Sequence, residues 1–513
     1  MQIIKTAANI LLFLLPMGLW AQSTYLNQGA REVPLMDRLE ILSGDLFSGS
    51  FTGLKPFSRK NMLLEARRAD SLLGAQGRLT QTDRYELQTL YMNNSEWYTG
   101  DSSAFASRKP ILKHFYRNKA HLWELNRKDV YLAVDPLIHL RAARESGNDA
   151  MLFLNARGLT LRGLIGGKIG FSSTIVENQE RGPLFYQQQV AAYRAVPGVG
   201  FYKVYKKDIS AQDYFDARGS VSFRAAKFMD MQFGFDKQFI GNGYRSMMLS
   251  DWGNSYLFFK INTRFWKINY QNLFMELIPQ FTKTTDSLYS RKYAAMHHLS
   301  INVTRWLNLG LFEGVVFGRK NHFDFQYLNP IIFYRHIEGG IGSPDNVLAG
   351  FDAKALVARR FQLYGQLMLD EFIISRLRSQ PSNWANKFAI QLGANFQEWI
   401  AIARYRPHPR WQLSGRMIYY HKGLDTANAN FGGNIFRNYN TRLSEDGFRV
   451  GSGDRFRCLN TLFVISYEWK TNLFVEANWQ WRNTSDAASG VKESRHMAGL
   501  AVRLNLFRRE YDF

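Results

Sequence analysis

From about Val130 to Phe513 the chain keeps returning to one pattern: apolar and polar residues alternate for eight to twelve positions, and a turn rich in Gly, Asn, Asp or Ser follows. Near the end of the chain Leu500, Val502, Leu504 and Leu506 share one parity, and Ala501, Arg503 and Asn505 share the other. Alternate side chains of a strand point to opposite faces, so such a strand has one apolar and one wet face. About ten residues of that character suit a tilted membrane-spanning strand. The chain stops on the aromatic Phe513, and an aromatic last residue on a terminal amphipathic strand resembles the assembly signal of outer-membrane barrels.

Met1 to Ala21 carries an early positive charge at Lys5, an apolar run from Ile10 to Leu15, and a small residue, Ala21, before Gln22. This has the layout of a cleavable secretory signal peptide; the run is short for a span, and no Cys follows for lipid attachment. Residues 22 to 115 read as a helical periplasmic segment. Pro34 to Gly44 forms one short helix. Ser58 caps a second with Met62, Leu63, Ala66, Ala69, Leu72 and Leu73 on one face, and Thr80 or Thr82 starts a third.

The remainder, 116 to 513, reads as an all-β transmembrane barrel. Met229, Met231, Phe233 and Phe235 oppose Asp230, Gln232, Gly234 and Asp236; Leu257, Phe259, Ile261 and Phe265 oppose Lys260, Asn262 and Arg264. Polar and charged residues confined to one parity fit an apolar wall around a polar lumen. At roughly 20 to 25 residues per strand with half its connections, this length predicts on the order of 16 to 18 antiparallel strands. No later run approaches eighteen apolar residues, and a barrel exposing only alternate residues to lipid accounts for the mean hydropathy of -0.29. The 15% aromatic content suits interfacial girdles. A single cysteine, Cys458, permits no intrachain disulfide.

Net charge is +22, from 65 basic against 43 acidic residues. Export makes nucleic acid an improbable partner; lipopolysaccharide phosphates and acidic surface polysaccharides are the obvious anions, although basic residues can equally face lipid phosphates or pair inside a lumen. The sequence argues against an enzyme: it has no G-x-S-x-G elbow and no P-loop, and no catalytic residue, metal ligand or cofactor is assigned. His297 and His298 are neighbours on a strand, where adjacent side chains diverge, so a structural role is favoured over shared metal binding.

Three segments stand out: Phe239 to Asp251 (FIGNGYRSMMLSD), Tyr327 to Asn346 (YLNPIIFYRHIEGGIGSPDN) and Leu363 to Phe372 (LYGQLMLDEF). Their Arg, Asp, Asn and aromatic residues are the types that recognise sugars, and equally those that build lumen ion pairs and barrel turns. With Phe153 to Phe171 and the early MDRLE and KPFSRK pieces, they resemble the Wzi-like capsule-assembly family of outer-membrane proteins, in the form found in Bacteroidetes. The resemblance covers most of the mature chain, and its most specific part is the YLNPIIFYR…GSPDN…LYGQ…LDEF series. It implies an outer-membrane barrel with a helical periplasmic segment, whose better-known relatives help attach capsular polysaccharide. Relatives of this form also include gliding-motility-associated barrels. One departure stands at Ala394 to Glu398, where relatives place a further hairpin's worth of residues.

The expected function is a non-enzymatic outer-membrane barrel that helps attach or assemble surface polysaccharide, with ligand contacts at Arg245, Asp251, Arg335, Asp345, Asn346, Asp370 and Glu371. The alternatives are an anion-selective porin-like channel and a gliding-motility or secretion-machinery component that binds envelope proteins. The cue for the last would be a long, low-charge, apolar loop, and none stands out in the sequence. Whether the lumen is open is not decided by the sequence.

Overall fold

The computed structural model describes residues 23–512 except 28, 279–288, 320–321, 332, 343–344, 371–378, 380–386, 393–397, 427–428, 432–438, 443, 445 and 447–451. Residues 1–22, where a signal peptide is expected, Glu371 and Phe513 thus lie outside the described residues. Nineteen strands form one antiparallel sheet curled into a transmembrane β-barrel. They are β1 Trp123–Asn126, β2 Val130–Glu145, β3 Asn148–Ile165, β4 Ile169–Arg181, β5 Lys203–Tyr205, β6 Asp208–Ala226, β7 Met229–Asp236, β8 Tyr256–Phe265, β9 Ile268–Leu277 and β10 Lys292–Asn302. The sheet continues through β11 Leu307–Phe317, β12 Asn346–Val357, β13 Phe361–Asp370, β14 Lys387–Leu392, β15 Glu398–His408, β16 Trp411–Leu424, β17 Asp454–Lys470, β18 Leu473–Asp486 and β19 Lys492–Leu504. The first and last long strands meet, with Leu504 opposite Ile138. Each long strand pairs with the next around the wall, β4 with β6 beyond the short β5. Among the described residues the ladder lacks one junction, between β14 and β15, which flank residues 393–397.

Why this sheet spans a membrane is visible in its exposure. Phe233, Phe265, Leu311, Phe361, Leu363, Phe463 and Leu500 point outward and are largely exposed, a belt of apolar surface that water would not tolerate. Residues of the opposite parity on these strands and the ones beside them, Gln232, Lys260, Asp352, Gln366 and Glu476, are buried in the lumen. Among the described residues no helix is long and apolar enough to cross a membrane.

The barrel's two ends differ. At one, the strands join through short turns such as Lys227-Phe228, Trp266-Lys267 and Pro409-Arg410; at the other, most connections are long. The helical segment sits at the short-turn end and enters the lumen as a plug. Its helices are α1 Glu32–Ser43, α2 Arg59–Ala75 and α3 Gln81–Asn93. They share a core of Met36, Leu39, Met62, Leu63, Leu73 and Leu87; Leu72, expected on that face, is exposed. Thr80 opens α3 with a reciprocal cap to Asp83, whereas Ser58 stands at the start of α2 without a side-chain capping bond.

One expectation is overturned at the other terminus. The wall strand stops at Leu504, and residues 505–512 leave the sheet and run into the lumen. Asn505 makes the turn in the left-handed region (φ 53°), with its amide nitrogen donating to Asn472 O. The next residues are drawn inward by buried partners, because charged side chains gain more from enclosed counterions than from a lipid-facing edge. The last wall strand therefore ends at Leu504, short of the expected Leu506, while Phe513, on which the aromatic-end expectation rests, lies outside the described residues.

Candidate functional site

Besides the helix Leu184–Tyr193, whose Tyr186 and Val190 pack against the inward-facing Ala143, Leu152 and Met497, three described pieces enter the lumen, each fastened by the polar parity of the strands. The plug is held by Lys354 Nζ donating to Glu40 Oε2 at 2.7 Å, by Arg31 to Glu468 at 2.8 Å, and by Arg264 donating to Gly49 O at 2.8 Å. Arg162 pairs with Glu96 and donates to Asn93 O. The second piece is the β7–β8 connection, residues 237–255, which folds inward. Its Phe239–Ile240 pairs with Leu54–Lys55 of the plug, and Ile240 and Met248 pack against Phe258, Leu273, Phe312 and Met368 of the wall.

The third piece is the C-terminal tail. Glu180, fully enclosed, accepts from the hydroxyls of Tyr186, Tyr214 and Tyr511 at 2.8, 2.8 and 2.6 Å and also pairs with Arg509. Glu476 holds Arg503 and Arg508 at 2.9 and 2.7 Å. Arg416 pairs with Glu510, and Asn460 and Gln480 both donate to Tyr511 O. Plug and tail meet at Gly29, whose backbone is left-handed (φ 68°); a Cβ there would stand 2.7 Å from Phe507 Cβ.

Between these pieces lies a chamber of about 690 Å³. Basic side chains outnumber acidic ones along it; Arg59, Arg218, Lys237, Arg404 and Arg508 come from four different parts of the chain. Burial pushes the Lys237 ammonium down to about 7 and the Arg59 guanidinium to about 10. Burial likewise raises Asp37 and lowers Lys55. A net basic cavity with planar guanidinium donors is chemically suited to carboxylated or sulfated sugars.

The residues singled out by sequence do not converge. Arg245 lies in the inward connection, donates to Asp512 O and stacks over Trp252; Asp251 lines the chamber. Asn346 and Asp370 start and end strands at the long-loop rim. Arg335 and Asp345 are elsewhere, in the β11–β12 connection, where Arg335 pairs with Glu338 and Asp345 accepts from Arg319 and Tyr327. Glu371 is outside the described residues. Sequence reasoning missed the chamber's cations; inward parity on strands could have raised Arg218 and Arg404, but nothing local marks Arg59 or Arg508. His298 points inward to Asp352 at 2.7 Å, and His297 points outward against the ring of Tyr334.

The β11–β12 connection also corrects the search for an apolar loop. Residues 325–334 carry no charge, and Phe325, Ile331 and Phe333 are 77%, 83% and 75% exposed.

No protein-family model matches the chain, and no curated protein matches it. Among solved structures it is similar to Wzi of Escherichia coli, an outer-membrane protein involved in group 1 capsule assembly and a carbohydrate-binding β-barrel. The identity is 11% over 95% of this chain and 100% of that one, with a TM-score of 0.47. OprB of Pseudomonas putida is 12% identical over 74% and 94%, with a TM-score of 0.38. OpdK of Pseudomonas aeruginosa, solved with vanillate, is 10% identical over 73% and 98%, with a TM-score of 0.36. At these scores the likenesses carry no weight for function.

Proposed function

We propose that the chain is an outer-membrane barrel that holds an acidic surface polysaccharide at the cell surface without chemically altering it. The observation that carries this reading is a lumen filled from both termini while retaining a net basic chamber. Short turns of such barrels face the periplasm and long loops face outward, so the plug lies on the periplasmic side. A barrel stoppered in this way is poorly suited to passing solutes, and the chamber it keeps carries an excess of basic side chains. The net charge of +22 and the sequence resemblance to capsule-assembly barrels support the same reading. The test is a deletion strain scored for polysaccharide retained on cells against polysaccharide shed into the medium. Purified protein is also titrated with the organism's own polysaccharide. Unchanged retention together with no binding would overturn the reading.

The 690 Å³ chamber favours one second reading, an anion-selective channel whose plug leaves a path. Steady anion-selective current across planar bilayers would bring it forward; silence would remove it.

A further inference from the structure

The β11–β12 connection is the longest described excursion from the wall that does not enter the lumen. Parity fixes where it goes. Lys260 of β8 is a lumen residue, bonded to Gln238 of the inward connection, so its neighbours Phe259 and Ile261 face outward. Register then carries the outward face across the sheet: Phe259 opposite Phe274, Phe274 opposite Ala295, Ala295 opposite Val315, and Val315 opposite Val347. These outward residues are packed under Phe323, Tyr327, Tyr334, Ile337 and Ile341. The connection therefore lies on the outside of the barrel, where lipid would otherwise be.

Beneath it the wall breaks its own pattern. Asn272, His297 and Glu313 are polar residues in outward positions on adjacent strands, and register places Asn272 opposite His297 and His297 opposite Glu313. Bare to acyl chains, they would be costly. The connection covers them. Arg335 N donates to Glu313 Oε1, the Tyr334 ring lies 4.1 Å from the His297 ring, and the Tyr270 hydroxyl donates to Pro330 O. The helix Tyr334–Ile341 turns its buried side, Tyr334, Ile337 and Glu338, to this patch.

We propose that the described residues of 323–341 form an intramembrane flap whose exposed Phe325, Leu328, Ile331 and Phe333 contact the acyl chains of the outer leaflet. Position argues for lipid over water or a protein partner. The covered wall residues stand four or five positions inside the loop-end of their strands. At ~3.3 Å per residue and a tilt of about 45°, that is roughly 10 Å below the rim. The flap's outer surface is also continuous with lipid-facing wall residues, Leu311 at 57% and Phe351 at 40% exposure. Arg335 is the charged side chain most exposed on the flap; it pairs with Glu338 and is long enough to lift its guanidinium towards the headgroups. The flap thus doubles the wall and seals a polar patch inside the bilayer.

The experiment is a nitroxide scan of the full chain in liposomes. Phe333→Cys and, as a second variant, Ile331→Cys are spin-labelled in the folded protein; unsubstituted protein, with Cys458 buried, serves as the blank. Collision rates with oxygen and with a water-soluble nickel chelate are compared with labels at Leu311→Cys on the wall and Val491→Cys in an exposed turn. Oxygen-rich, nickel-poor accessibility matching Leu311 is expected. Nickel access matching Val491 would place the flap in water, and access to neither reagent would place it against a second copy; either result overturns the proposal. The outcome does not depend on polysaccharide, which is absent from the assay.

Discussion

Lys354 shows how a single inward residue ties two parts of the molecule together. Its ammonium is buried against Glu40 and the Thr52 hydroxyl, so removing it strands a carboxylate in the lumen. Lys354→Ala should weaken plug docking by about 3–5 kcal/mol, the usual effect of breaking a buried pair. Limited proteolysis would show residues 23–118 cut sooner while the barrel still changes gel mobility on heating. The Lys354→Met, Glu40→Leu pair should recover part of the loss, though Phe47 N and Thr52 then lose their acceptor. Lys237 carries a pH signature. Its folded-state value is lowered to about 7 from 10.5, so between those values the folded chain binds fewer protons than the unfolded chain. Stability should accordingly rise with pH across that window, and Lys237→Met should flatten the slope in denaturant titrations. At this scale the sequence was least legible. Arg245 and Asp512 meet across 267 positions, and no local spacing announces a partner that distant.

The strands were legible because alternation is local: each run reports its own two faces, as Phe233 and Gln232 do on β7. Helices α1 and α3 were legible through Gly44 and the Thr80 cap for the same reason. The tail was not, since residues 505–512 continue the composition of the strand before them, and their course is set by Glu180, Glu476 and Arg416 on three other strands. Because these contacts stopper the lumen, deleting residues 506–513 should raise conductance in planar bilayers above that of the intact protein. Refolding in detergent keeps the measurement separate from any assembly defect in cells. An unchanged conductance would assign closure to the plug and inward connection alone. Gly29→Ala should act in the same direction but more weakly, because the new methyl meets Phe507 where plug and tail touch.

Apolar contact builds a lipid-facing belt, a helical core inside the plug and the cluster around Ile240 and Met248, while charge binds much of the rest of the lumen together. That division explains why barrel class could be read from the chain while the filled lumen could not; parity states that a side chain points inward but not what it meets there. The excess of basic over acidic groups is a property of the whole molecule, and it sets the final expectation. Attraction between a basic chamber and an acidic polysaccharide falls as the screening length shrinks from about 8 Å at physiological salt to about 3 Å at 1 M. Binding to the purified protein should therefore weaken steeply over that range, and a neutral glycan of similar size should bind poorly at both ends of it. Chamber variants divide the charge further. Arg404→Ala and Arg59→Ala remove lining cations from the wall and the plug respectively, so each should lower affinity and reduce the salt dependence. If affinity instead proved indifferent to salt and to both substitutions, contact with the polysaccharide would have to lie outside the chamber, on the long loops, or not occur.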